Sequence, residues 1–220
     1  MGNEINGMLE FLQEYDTSLW IALIQHLRLT ALSVLIACCI GIPLGILAWR
    51  SGRTSGPIFT AANIVQTIPS IALFGLMIPV LALFNSGIGT VPAITALVLY
   101  AQLPIIRNTQ TALSSVPEAA LDAARGTGMT EREILLGIAL PLAAPGIIAG
   151  IRLATTLCIG VAAIAAYIGA GGLGLIIARG LSSSWDTMIL AGGIGVALLT
   201  LVLDVVLRLI ERLVAPRGGV

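Results

Sequence analysis

The sequence contains no lysine, because all eleven basic residues among its 220 are arginines. A phosphate-binding loop of the form G-x-x-x-x-G-K-[ST] needs its lysine on the terminal phosphates, so this chain has no such nucleotide site. Charged residues make up only 10% of the chain and cancel to zero net charge. Nucleic-acid binding therefore has no electrostatic basis, and we expect any ATP chemistry to belong to a partner.

Histidine and cysteine are scarce. His26 is the sole histidine, and the motifs H-E-x-x-H and G-x-S-x-G are absent, which disfavours an intramembrane enzyme. Cys38, Cys39 and Cys158 lie in apolar runs, where they are expected to pack as small hydrophobic residues without binding metal. No ionisable group stands at the centre of the three middle runs, which disfavours an ion-driven transporter or channel.

Long apolar runs dominate what is present. Apolar residues form 57% of the chain and the mean hydropathy is +1.03, whereas a soluble domain usually carries about 25% charged residues. One membrane crossing needs roughly 20 apolar residues. We expect a single all-α membrane domain over residues 1–220, with prolines kinking the first two of its five transmembrane helices. The predicted spans cover about residues 20–49, 58–84, 91–112, 145–168 and 188–213.

The arginines are distributed unevenly between the two sets of loops. Segments 50–56, 107–140 and 208–220 hold eight of the eleven, whereas the opposite loops hold only Arg179 and the N-terminal tail holds none. Arginine-rich loops face the cytoplasm. We therefore expect the N-terminus outside and the C-terminus in the cytoplasm.

Two further patterns lie within the spans. Asp204 precedes Arg208 by four residues, as in a neutralising helical pair, and Arg152 lies close enough to a span end to reach water. The motifs Gly41-x-x-x-Gly45 and Gly146-x-x-x-Gly150 allow close approach of helices. The sequence leaves open whether that packing is internal or joins two copies.

The long polar loop, residues 114–141, carries two potential helix starts. Ser115-x-x-Glu118 and Thr130-x-x-Glu133 both fit the capping box, in which the two side chains satisfy free backbone N–H groups. Between them, Gly126 and Gly128 can adopt the left-handed conformation that ends a helix. The pattern predicts a helix, a glycine turn and a second helix on the cytoplasmic face.

This loop resembles the motif of ABC importer permeases, E-A-A-x-x-x-G followed after nine residues by I-x-L-P. The matching residues are Asp122-Ala123-Ala124, Gly128, and Ile138-Ala139-Leu140-Pro141. Aspartate replaces the first glutamate, and the literal Glu118-Ala119-Ala120 is out of register with the glycine.

Other sequence segments are similar to segments of permeases for glycine betaine, carnitine, choline and related quaternary amines. They are Gln66-Thr67-Ile68-Pro69-Ser70, Leu103-Pro104-Ile105-Ile106-Arg107-Asn108-Thr109, and Tyr167-Ile168-Gly169-Ala170-Gly171-Gly172-Leu173-Gly174. A permease for methionine or another small polar solute is the alternative, because methionine permeases share the five-span plan.

The resemblance implies a methionine-permease-like fold in the bacterial cytoplasmic membrane. It implies cytoplasmic ATPase subunits that carry ATP and Mg²⁺, an external solute-binding protein, and a second permease copy or a sister permease. This chain would bind no cofactor or metal. The resemblance assigns ATPase coupling to Asp122, Ala123, Ala124, Gly126, Gly128, Ile138, Leu140 and Pro141.

Aromatic faces attract quaternary ammonium groups. The few aromatic residues in the spans therefore suggest a solute path that includes Tyr100, Tyr167 and Phe74.

Overall fold

The structure, a computed structural model, describes residues 16–215, which form helices and turns without a strand. The N-terminal tail and Arg217, which entered the topology prediction, lie outside the described residues. The helices are α1 (Asp16–Arg50), α2 (Gly52–Thr67), α3 (Ser70–Ala82), α4 (Thr90–Ser114), α5 (Glu118–Gly126), α6 (Glu131–Ile168), α7 (Leu173–Ser183) and α8 (Asp186–Val214).

Four helices, α1, α4, α6 and α8, are each long and apolar enough to cross a membrane. Helices α2 and α3 pass the same test only together, and they meet at a bend of 102°. The bend falls at Ile68–Pro69, where proline lacks the N–H that would continue the helix. The four single helices and this bent pair account for the five predicted spans, and the expected kink in the second span is a complete break.

Helix α4 forms the centre of the bundle, flanked by α1 and α6. A Cβ atom added at Gly45 of α1 would lie 2.6 Å from the Cβ of Thr109, and one added at Gly150 of α6 would lie 2.5 Å from the Cβ of Asn108. Both distances are far below van der Waals contact. The two glycine motifs therefore pack against adjacent faces of α4, which decides their role in favour of internal packing.

Helix α6 is longer than the predicted fourth span, because it begins at Glu131 instead of near residue 145. It contains a π-helical turn at Leu135–Ala139 and ends in a 3₁₀ turn at Ala165–Ile168. The short apolar helix α7 follows the glycine-rich segment and was not predicted. It lies so close to α6 that a Cβ at Gly174 would stand 1.9 Å from the carbonyl oxygen of Ala163.

Hydrogen bonds between distant segments define the two ends of the bundle. At one end, Arg50 donates to the backbone carbonyl of Glu131 at 3.2 Å. At the other, the N–H of Gly89 donates to the Ile168 carbonyl at 2.9 Å. The loop of residues 114–141 and the glycine-rich segment, residues 169–174, therefore lie at opposite ends of α6.

Candidate coupling segment and solute path

The coupling segment, residues 114–141, consists of the end of α4, the whole of α5 and the first turns of α6. Its inner side is apolar: Leu121 and Ala124 of α5 and Ile134 of α6 are buried with Leu113 and Val116 in one cluster. Burying each large side chain contributes about 1.5–3 kcal/mol. The segment is thus docked on the bundle as a packed unit.

The turn between α5 and α6 depends on Gly128, whose φ is +85°. The N–H groups of Gly128 and Met129 return to α5, donating to the carbonyls of Arg125 at 3.0 Å and Ala124 at 3.2 Å. These bonds satisfy free carbonyls at the end of the helix. Residues that carry a Cβ rarely adopt this φ, so the backbone requires glycine at this position.

The predicted capping box at the start of α6 is present. The Thr130 N–H donates to Glu133 Oε2 at 2.8 Å, and the Glu133 N–H donates to Thr130 Oγ1 at 3.4 Å. Together the two residues satisfy donors that have no partner inside the helix.

The other two local predictions are wrong. Ser115 does not cap α5, because its hydroxyl donates to the Thr111 carbonyl and the helix begins only after Pro117. Pro117 is the non-helical residue before Glu118, and no side chain of the described residues caps the helix there. Gly126 is the last residue of α5 and has a helical backbone, so Gly128 alone makes the left-handed turn.

The outer side of the coupling segment is polar and exposed. Arg125 bridges the turn, donating to Asp122 Oδ1 at 2.8 Å and to Glu131 Oε1 at 3.1 Å. The bonds to Glu131 and then Asp122 raise the pKa of Arg125 above its ordinary value, which keeps it charged. Exposed ion pairs contribute little stability, but these orient Asp122, the residue in the glutamate position of the motif. Ala123 and Gly126 are exposed beside it.

The second half of the motif lies in the first turns of α6. Ile138 and Leu140 are half-buried against the apolar cluster, and Pro141 is exposed. Proline has no N–H for the carbonyl four residues earlier and its ring clashes with that carbonyl. The π turn widens the helix immediately before Pro141, and the Leu140 N–H donates to the Leu135 carbonyl. The I-x-L-P phrase thus positions a proline without ending the helix.

A charge cluster joins the middle of α6 to the C-terminal half of α8. The predicted pair is present, with Arg208 donating to Asp204 at 2.7 Å. Arg152 also contacts Asp204 at 3.0 Å and Glu211 at 3.2 Å. Arg152 is therefore held by two carboxylates, a role that its position in the sequence did not reveal because its partners lie more than fifty residues away.

The three aromatic candidates for the solute path have different surroundings. Phe74 is 1% exposed within the main core, so it is not available to a solute, contrary to the prediction. Tyr167 is 62% exposed at the end of α6. Tyr100 is half-buried and donates through Oη to the carbonyl of Ile68, at the break between α2 and α3.

A protein-family comparison decides the class of this chain. The model described as "Binding-protein-dependent transport system inner membrane component" matches residues 41–218. The chain belongs to that family. It is the membrane-spanning permease subunit of an ABC importer, and ATP hydrolysis is carried out by a separate subunit.

Two relatives of this permease are named for the transport of osmoprotectants or choline. It is 50% identical over 194 residues to the osmoprotectant import permease protein OsmW of Salmonella typhimurium, covering 88% of this chain and 90% of the relative. It is 39% identical over 214 residues to the choline transport system permease protein OpuBB of Bacillus subtilis, covering 97% and 96%.

A solved structure confirms the predicted fold class. The inward-facing MetNI methionine ABC transporter matches with a TM-score of 0.81 and 26% identity, covering 90% of this permease and 96% of that chain.

Sequence reasoning about the permease missed one buried hydrogen bond between two helices. His26 is fully buried, and its Nε2 donates to the Ile159 carbonyl at 3.0 Å, which ties α1 to α6. A lone histidine within an apolar run was the available signal, because a polar group buried at that position requires a partner.

Proposed function

We propose that this permease translocates osmoprotectants of the quaternary-amine class, such as glycine betaine, carnitine or choline. The observation that carries the proposal is the 50% identity, over most of both chains, to a permease named for osmoprotectant import. Several further relatives, 36–42% identical, are named for choline, carnitine or glycine betaine transport. The half-buried Tyr100 and exposed Tyr167 are the aromatic faces that such a solute could meet.

The proposed assembly contains two permeases, identical or sister chains, on two cytoplasmic ATPases that bind ATP and Mg²⁺, with an external binding protein delivering the solute. The proposed orientation places the N-terminus outside and the C-terminus in the cytoplasm. It is supported by the contact between Arg50 and the Glu131 carbonyl, which brings two arginine-rich segments to one end of the bundle.

In this proposal the ATPases act on the coupling segment. Asp122, Ala123 and Gly126 present the outer surface of α5, while the buried side of α5 is fixed to the bundle through Leu121 and Ala124. A force applied to α5 therefore reaches α4 and α6, the helices on either side of the segment. Rigid-body movement of these helices would switch access from one face of the membrane to the other.

Methionine or another small polar solute remains the alternative, because the fold is shared with a methionine transporter. The sequence identity between that methionine transporter and this permease is 26%, well below the 50% shared with the osmoprotectant permease. The test is uptake by the complete importer, with its own ATPase and binding protein, in cells that lack other uptake systems. ATP-dependent accumulation of labelled glycine betaine, carnitine or choline is expected. Accumulation of methionine alone would overturn the proposal.

A further inference from the structure

The outward face of α2 differs from the outward faces of the membrane helices α1 and α8. Thr60, Asn63 and Thr67 are exposed at spacings of three and four residues, so they form one stripe along α2, with Ala61 and Ile64 beside them. We refer to Thr60, Asn63 and Thr67 as the polar stripe.

The exposed faces of α1 and α8 at comparable depth are apolar. They are formed by Leu32, Leu35, Ile36 and Ile40 of α1 and by Leu198, Leu201, Val202 and Val205 of α8. These two faces suit contact with lipid.

Lipid is a poor environment for the polar stripe. No hydrogen-bond partner is found for the side chains of Thr60 and Asn63 in the described part of the chain, whereas Thr67 donates to the Ile64 carbonyl at 2.7 Å. Hydrocarbon offers no partner, and an amide without one costs several kcal/mol there. The face of α2 that carries Asn63 therefore requires water or another polar group.

The inner end of the polar stripe coincides with the helix break. Helix α2 has sixteen residues, about 24 Å at 1.5 Å per residue, so Thr67 lies deep within a hydrocarbon layer about 30 Å thick. Two hydrogen bonds hold the break: Tyr100 Oη donates to the Ile68 carbonyl, and Gln66 donates to the Tyr100 carbonyl at 3.2 Å. The break leaves carbonyls at the end of α2 without an N–H partner in the helix, and such carbonyls can face a cation.

A positive charge lies nearer the other end of the polar stripe. Arg107 of α4 is exposed, and its guanidinium carbon stands 5.9 Å from the ring centroid of Phe59, the residue before Thr60. No acidic partner of Arg107 is found among residues 16–215. An exposed arginine without an acidic partner among the described residues faces water or a protein cavity in preference to lipid, which supports a hydrated space on this side of α2.

We infer that the polar stripe lines the water-filled path of the solute, with the quaternary ammonium group passing the C-terminal end of α2 beside Tyr100. The identity of the solute rests on the proposed function, but the hydration of this face does not. The path is electrically asymmetric, because Arg107 makes it positive near Thr60 and backbone carbonyls at the end of α2 are offered to a cation near Thr67.

Cysteine labelling of the complete importer in membrane vesicles tests this inference. Asn63→Cys and Thr67→Cys are compared with Leu35→Cys and Leu198→Cys, which lie on the apolar faces. The native Cys39, exposed on α1, supplies a built-in background. The probe is 2-(trimethylammonium)ethyl methanethiosulfonate, which is membrane-impermeant and itself a quaternary amine.

We expect the two stripe cysteines to react at least tenfold faster than the controls, and glycine betaine to slow their reaction during ATP-driven transport. Near Arg107, Thr60→Cys is expected to prefer an anionic sulfonatoethyl methanethiosulfonate, and Thr67→Cys the cationic reagent. Full labelling after denaturation confirms that each variant is present.

Stripe cysteines that react no faster than the lipid-face controls would overturn the inference, whether lipid or a dry contact with a second permease covers them. The result is separable from the proposed function. If the importer transports methionine and the stripe cysteines react, the proposed solute is refuted and the hydrated path stands. If it transports glycine betaine and the stripe cysteines do not react, the proposed solute stands and the hydrated path is refuted.

Discussion

Replacing Gly128 by valine isolates the backbone requirement of the coupling segment. The added Cβ would meet no atom within 4 Å, so the substitution creates no clash, but the φ of +85° is strained for a β-branched residue. Such strain costs on the order of 1–3 kcal/mol. At about 2 kcal/mol, the native turn would become roughly 30-fold less populated relative to other conformations, since 1.4 kcal/mol is tenfold.

Gly193→Val is the matched control. This position in α8 also has no atom within 4 Å of an added Cβ, but its backbone is helical and it lies outside the coupling segment. Gly128→Asn is the graded variant, because asparagine tolerates the left-handed region better than valine.

The assay measures uptake and ATP hydrolysis by the reconstituted importer, with membrane insertion checked for each variant. Gly128→Val is expected to insert normally and to lose at least tenfold in solute transported per ATP, Gly128→Asn to lose less, and Gly193→Val to stay near wild type. Equal transport by the two valine variants would refute the role assigned to the turn.

Two further predictions concern contacts between helices. Gly174→Ala is expected to lower the melting temperature in detergent strongly, because overpacking against backbone that cannot move away costs about 1–3 kcal/mol or more. Gly160→Ala, with open space around the added methyl group, should have little effect. Equal melting temperatures would contradict the close approach of α7 and α6. Asp204→Asn and Arg152→Gln should each lower the melting temperature, and their effects should be non-additive in the double variant, since the two residues share one cluster. Arg212→Gln at the exposed end of α8 should leave the melting temperature unchanged. Additive effects of the two cluster substitutions would show that the cluster does not couple α6 to α8.

The elements that the sequence predicted best rest on composition and local spacing. Apolar runs identified α1, α4, α6 and α8 because burial in lipid requires length and hydrophobicity, both of which are local properties. The Thr130 cap and the Gly128 turn were predicted for the same reason, since their hydrogen bonds join residues only a few positions apart. The Ser115 cap failed because Pro117 separates that serine from the helix it was expected to begin.

The features that the sequence did not reveal depend on distant neighbours. Arg152 meets acidic residues of α8, and His26 meets a carbonyl of α6 more than 130 positions away. Phe74 was proposed for the solute path because it is aromatic, yet packing against the central helix buries it. The size of the bend between α2 and α3, where Tyr100 of α4 donates to the Ile68 carbonyl, was likewise not predicted, although Pro69 indicated its place.

The uninterrupted course of α6 has a mechanical consequence. At 1.5 Å per residue its 38 residues extend about 57 Å, from the surface offered to the ATPase to the glycine-rich turn at the opposite face. If this rod pivots near its midpoint, a rotation of about 10° displaces both tips by roughly 5 Å in opposite directions. Opening on one side of the membrane and closing on the other would then be a single event, with no separate signal needed to keep the two mouths from being open together.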